Sequence, residues 1–413
     1  MRRAVAPGIA CGIFALFLIV GCGGEAAPDS GSVVRDSAGI TIVESRSTLW
    51  EVGDEWTIAP QPSLVIGVLE GDPEYRLFDV GGALRLDDGR LVIANAGTQQ
   101  LRFYDAAGVF LHAVGGQGDG PGEFQDIGWL EPLGPDTLAT YDYRARRISL
   151  FDHQGTFLSS ASPQPPEGEA SPLFVGYMRD GSLLAVSLIA VSPATESGFH
   201  RNAQLLIRYR PDGTFIDSVG RFPGRETYVK VEDGRVTASA LPLGRRSAYA
   251  ATEEGVYVGG ADRAEFGLFG RDGRLLRVVR WDQPPMRVTA GMIEEIKRER
   301  TERWVELNLD AEFRAQLEAM QEEMPWPDRL PAYARFLLDA DRNLWVEHFA
   351  TPIDTSSRWS VFGPDGVLLG EVAPPSGVRI FQIGSDFILG VGRDEMDVEQ
   401  VRVYPLEKPR RPQ

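Results

Sequence analysis

Cysteine is almost missing from this chain. Of 413 residues only two are Cys, Cys11 and Cys22, both near the N-terminus. Nothing downstream can form a disulfide, so a small stapled fold is excluded, and a chain of this size with 43% hydrophobic residues needs no staple. Histidine is scarce too. The four (His112, His153, His200 and His348) show no HExxH or HxxxH spacing, which excludes a helix-borne zinc site. Basic charge is short: 42 Lys and Arg stand against 59 Asp and Glu, a net charge of -17. Phosphate backbones demand the opposite balance, so no nucleic-acid partner is expected. The surplus suits a self-repelling, monomeric surface. There is no GxSxG stretch, P-loop or dinucleotide fingerprint. The Gly-rich run Gly115 to Gly122 leads into a strand pattern, not a helix, so it is no phosphate cradle.

Long hydrophobic runs are also absent beyond Val20. Met1 to Arg3 is a basic start, and Ile9 to Val20 is an apolar stretch of about a dozen residues, short of the ~20 needed to span a bilayer. That is the layout of an export signal. Its end, Ile19-Val20-Gly21-Cys22, resembles a bacterial lipobox. The resemblance implies cleavage before Cys22, lipidation of its thiol, and a protein held by acyl chains at the periplasmic or surface face of the envelope. Residues 1–21 are then a lipoprotein signal peptide and 22–38 a polar, flexible tether.

What the chain does have is one unit written five times. The copies are FYDAAGVFL at Phe103, LFDHQGTFL at Leu150, RYRPDGTFI at Arg208, LFGRDGRLL at Leu268 and VFGPDGVLL at Val361. Each joins two apolar strands through a turn closing on Gly108, Gly155, Gly213, Gly273 or Gly366. Such turns between β-rich runs signal hairpins. The hairpins recur at spacings of 47, 58, 60 and 93 residues, and each unit reads as four strands. That period predicts an all-β fold, a six-bladed β-propeller over residues 39–408, with 409–413 as a tail. The sixth unit, from Gly377 to Tyr404, lacks a fourth strand, and a spare strand sits at Leu64 to Val68. Pairing the two closes the ring from the N-terminal side.

The residues Gly115 to Phe124 and Tyr141 to Asp152 resemble NHL-type repeats. Asp142, Arg147, Ile148, Phe151 and Asp152 match their core, while Ala145 stands in place of Asn, and Asn95 replaces the Asp in the preceding copy. The chain is similar to bacterial six-bladed propeller lipoproteins. That implies the fold and leaves the activity open, because propellers host many functions.

Long loops fall on one face: Ser187 to Arg201, Gly220 to Arg246, Trp281 to Leu330 and Glu347 to Ser357. The tight hairpins mark the other, which is expected to be closed and plain. The longest insertion, 288–325 between the fourth and fifth units, predicts two helices, the second capped by Asp310. Candidate ligand-binding residues on the loop-rich face are Asn95, Asp142, Arg144, Asp262, Arg263, Glu347, His348 and Arg393. Arginine is frequent there, which suggests guanidinium forks for an anionic or carbohydrate ligand. No cofactor is expected. Asp142 and Glu347 offer oxygen to Ca²⁺, far short of the ~6–8 ligands that ion takes. No catalytic residue is assigned. The expected function is a non-catalytic envelope lipoprotein that binds a protein or glycan through the loop-rich face. The alternative is a metal-dependent hydrolase or lyase centred on the channel.

Overall fold

Turn chemistry is the most local determinant in this chain, and it sets the frame. The five repeated glycines all lie at positive φ, between +78° and +87°, where L side chains are disfavoured. An Asp carboxylate holds the turn in all five: Asp105 Oδ1 accepts the N–H groups of Ala107 and Val109, Asp152 Oδ1 those of Gln154 and Thr156, and Asp212, Asp272 and Asp365 accept those of Thr214, Arg274 and Val367. The computed structural model describes residues 31–187, 196–232, 235–351, 354 and 356–409. The signal-peptide reading and Cys22 lie outside these residues.

The described chain is mostly strand, with two α-helices and one short 3₁₀ turn. Six antiparallel meanders carry the fold. The first is Val80–Arg85, Leu91–Asn95, Gln100–Tyr104 and Phe110–Gly115. The second is Ile127–Pro132, Thr137–Asp142, Arg147–Asp152 and Phe157–Ala161. The third is Pro172–Tyr177, Leu183–Ser187, Ala203–Tyr209 and Phe215–Pro223. The fourth is Ala248–Ala251, Gly255–Gly259, Glu265–Gly270 and Leu275–Trp281. The fifth is Tyr333–Leu338, Leu344–His348, Trp359–Phe362 and Leu368–Val372. The sixth has Arg379–Ile383, Phe387–Arg393 and Glu399–Glu407, and Leu64–Ile66 from the N-terminal region is its fourth strand. The register of that last pairing is Ile66 to Val401, Val65 to Arg402 and Leu64 to Val403.

The core is divided among the spaces between successive sheets. Strand Leu91–Asn95 shows why: all five residues are buried, because both of its faces are covered. Val92 and Ala94 turn toward Phe124, Leu130 and Phe151 of the second sheet. Leu91 and Ile93 turn the other way, toward Leu389, Val401 and Val403 of the sixth. Equivalent apolar clusters fill the second–third, third–fourth, fourth–fifth and fifth–sixth spaces. The first strand of each sheet contacts that of the next, and the sixth contacts the first. The fold is propeller-like.

One expectation about the N-terminal end changes. Ser32–Ser37, assigned above to the tether, is a strand paired with Ile40–Ser45. Ala38 and Gly39, both at positive φ, make the two-residue hairpin turn that joins them. Ile40–Ser45 in turn adds in parallel to the outer edge of the fourth sheet, from Thr41 opposite Arg277 to Ser45 opposite Trp281. The chain then crosses the fifth sheet, where the Leu49 and Trp50 N–H groups donate to Leu369. Thr57–Ile58 and Leu64–Ile66 reach the sixth.

The long insertion is helical as expected. Helix α1 (Ala290–Glu306) is capped by Thr289 and α2 (Ala311–Glu323) by Asp310, whose carboxylate accepts the Phe313 N–H at 2.8 Å. Met320 and Met324 pack on Leu241 and Tyr228 in the link between the third and fourth sheets. Ile296 packs on Leu243 and Leu330.

Candidate functional site

The first strands surround the centre of the fold, so their side chains decide what a ligand meets there. At the end from which these strands start, on the insertion-bearing side, three successive sheets contribute arginine. Arg246 precedes the fourth sheet's first strand, Arg335 lies on the fifth's and Arg379 opens the sixth's. Each reaches a carbonyl of the following sheet. Arg246 Nε lies 3.4 Å from the Ala334 oxygen, Arg335 Nη1 donates to Ile380 at 2.8 Å, and Arg379 Nη2 donates to the Val80 oxygen. The guanidiniums therefore latch neighbouring sheets.

They also crowd positive charge. Burial among the walls, then repulsion from Arg225 and Arg335, holds the Arg246 pKa below the usual guanidinium range. Burial does the same to Arg379, where the nearby Glu399 and Asp79 carboxylates oppose the effect and Arg335 again repels. Glu347 offsets one charge by accepting from Arg335 Nε at 2.5 Å. Arg246 and Arg379 keep exposed flanks, and neither makes a hydrogen bond to a carboxylate among the described residues.

Most of the residues expected to bind ligand have other work. Asn95 is fully buried: its Oδ1 accepts the Phe78 N–H at 2.8 Å and its Nδ2 donates to Thr98 Oγ1 at 2.9 Å. Asp142 is equally buried and accepts the N–H groups of Gln125, Arg144 and Ala145 at 2.6, 3.0 and 2.7 Å. Both close the loop after a second strand, and their buried oxygens hold backbone N–H groups rather than facing a ligand. Asp262 is held by Arg201 at 2.9 Å and Arg245 at 2.6 Å. Arg263 pairs with Glu265, and Arg393 with Asp397 and Glu399. Arg144 is exposed on its turn. The eight residues belong to five different sheets and do not converge.

His348 is buried rather than offered to a ligand. Its Nδ1 accepts from Arg358 Nη2 at 3.1 Å, so the neutral ring carries its proton on Nε2. That N–H donates to Ser360 Oγ at 2.8 Å. A histidine that gives its proton to a serine is no base for it, and Ser360 is itself fully buried. Among the described residues no three His, Cys, Asp or Glu side chains converge as a metal cage.

The other end of the central space holds the larger surprise. The face marked by the tight hairpins was expected to be plain, yet a cavity of about 690 Å³ opens there. The hairpins lie toward the rim. The middle is bounded by the far halves of the six first strands and by their turns into the second strands. Glu131 faces this cavity with Tyr177, Tyr249 and Gln382 around it. Burial, the sole cause, pushes the Glu131 pKa up to about 7. Only one sign of this was in the sequence: an acidic residue inside the apolar strand IGWLEP.

No family model matches the chain, and no curated protein matches it. Solved structures do. A member of the DUF4221 family from Bacteroides vulgatus aligns with TM-score 0.50 and 10% identity, covering 86% of this chain and 99% of that one. A Bacteroides fragilis protein described as exported aligns at 0.47 and 11%, covering 89% and 100%. Virginiamycin B lyase from Staphylococcus aureus aligns at 0.39 and 10%, covering 85% and 99%. At this identity the likeness concerns the fold, which is propeller-like. Among the described residues no helix is long and apolar enough to cross a membrane.

Proposed function

We propose that this chain is an exported bacterial lipoprotein, a closed six-bladed β-propeller with NHL-like repeats. It binds an anionic group of a protein or glycan partner at the arginine-lined end of its channel. Six meanders, their first strands in cyclic contact, support the blade count. The apolar start followed by Ile19-Val20-Gly21-Cys22 supports export and the anchor.

The observation that carries the binding reading is the triad Arg246, Arg335 and Arg379. Three guanidiniums at the starts of consecutive first strands, Arg335 paired with Glu347 and Arg379 with carboxylates nearby, gather cationic donors at one mouth of an acidic protein. A carboxylate or phosphate fits such forks. The earlier candidates Arg263 and Arg393 are already neutralised by internal partners.

The test is a binding titration with oligogalacturonate as a carboxylated glycan and pyrophosphate as a compact anion. Arg246→Glu with Arg379→Glu is expected to weaken binding about tenfold or more, in a salt-dependent way. Unchanged affinity in the folded double variant sinks the reading. Metal analysis of the purified protein addresses the hydrolase or lyase alternative: a stoichiometric divalent ion at the channel would favour it. The anchor has its own check: incorporation of labelled palmitate is expected in the wild type and lost in Cys22→Ser.

A further inference from the structure

The cavity on the hairpin face is unlike the arginine-lined mouth in its chemistry. Six carboxylates and three guanidiniums line it. The guanidiniums are committed: Arg179 and Arg342 both lie against Glu253 at the rim, and Arg85 stacks over the Phe387 ring at 4.7 Å. One carboxylate, Asp339, is neutralised by Lys408 at 2.9 Å. Glu131 is different. It stands within the cavity wall, away from the rim, and makes no ion pair among the described residues. Aromatic rings from neighbouring sheets share that wall, Tyr177 from the third, Tyr249 from the fourth and Phe381 from the sixth. The Tyr249 hydroxyl is buried without a hydrogen-bond partner.

A lone carboxyl among aromatic faces is a poor way to stabilise a fold, because burying it costs free energy that nothing in the protein returns. It is a good way to hold a cation. An ammonium group gains an ion pair with the carboxylate and contact with the negative faces of the rings, and both strengthen as water leaves. A phosphate or carboxylate would meet Glu131 and an acidic rim. A volume of about 690 Å³ matches a small molecule rather than a chain segment.

We propose that this cavity binds a small organic cation, a primary amine or quaternary ammonium, with Glu131 as its counter-ion and Tyr177 and Tyr249 as aromatic walls. The site is separate from the arginine triad and does not depend on it.

The test uses the purified full-length protein and two probes of matched shape: choline, and its neutral isostere 3,3-dimethyl-1-butanol. Spermidine serves as the primary-amine probe. Calorimetry is expected to show saturable binding of choline or spermidine, with the isostere about tenfold weaker or worse. Glu131→Gln is expected to remove that preference for charge. The variant keeps the shape of the side chain and relieves a half-buried, desolvated carboxyl, so its thermal midpoint should not fall. No saturable binding of either cation, equal affinity for the isostere, or undiminished preference in folded Glu131→Gln would each overturn the proposal.

Discussion

Single residues in this chain show how poorly polarity alone announces a role. Asn95 and Asp142 sit at the end of second strands, where a loop-face ligand would be met, and were read as contacts. Both instead satisfy buried loop N–H groups. A residue that caps a turn and one that grips a ligand are written with the same letters. His348 illustrates the energetic side. Burial, aided by the Arg358 cation, lowers its pKa to about 4 from 6.5. The unfolded chain then takes up a proton that the folded chain refuses. The associated stability is complete above about pH 6.5 and is lost as pH falls toward 4, up to ~3 kcal/mol at ~1.4 kcal/mol per pH unit. Urea midpoints of wild type and His348→Gln at pH 7 and pH 4.5 should show a smaller pH dependence in the variant. Parallel curves would mean that His348 titrates normally. Glu131 runs the opposite way: its carboxyl resonance should titrate near pH 7, against 4.5 for a free glutamate.

At the scale of elements, the hairpins were legible because their chemistry is local. A Gly at fixed offset with Asp nearby specifies a turn without knowledge of the rest of the fold. Their second purpose was not legible. Each repeated glycine abuts the preceding sheet: a Cβ on Gly273 would lie 2.3 Å from the Val219 oxygen, and one on Gly155 would lie 2.9 Å from the Phe103 ring. Gly134 has a similar φ of +77° but open space around it. Gly134→Ala should therefore cost only the backbone term, about 1 kcal/mol, whereas Gly273→Ala should cost about 2–4 kcal/mol by chemical denaturation. Equal losses would show that the hairpins do not bear on their neighbours. The first strands explain why the channel residues were missed. Their pairing with second strands shifts register between Val80 and Gly82, Ile127 and Trp129, Phe174 and Gly176, Tyr333 and Arg335, and Ile380 and Gln382. An extra residue breaks the two-residue alternation, so strand periodicity could not say that Arg335, Arg379 or Glu131 faces the centre.

For the molecule as a whole, the order of the sheets was readable from repetition, and the sixth sheet's N-terminal strand from a shortage at one end and a surplus at the other. Leu64–Ile66 fills that place. Deleting residues 31–70 should leave the Glu399–Glu407 edge bare and expose Val401 and Val403, the partners of Ile66 and Leu64. The thermal midpoint should drop by several degrees or more and recover on adding a peptide of residues 57–70. An unchanged midpoint would mean that the fold does not need this strand.

The path of the first described residues also decides how the protein meets mechanical load. A pull arriving through the N-terminus reaches Ser32 first. Ser32 lies opposite Ser45 at the open end of its hairpin, so that strand peels away one pair at a time. The next strand, Ile40–Ser45, runs parallel to Leu275–Trp281. Tension along its axis must slide all of its pairs together, and the Ser45 hydroxyl is further fastened to Leu368 of the neighbouring sheet at 3.2 Å. The hairpin is thus a sacrificial fuse in front of a shear clamp. Stretching should lengthen the leader by the six residues of Ser32–Ser37 and their turn at low force, then stall before the sheets open.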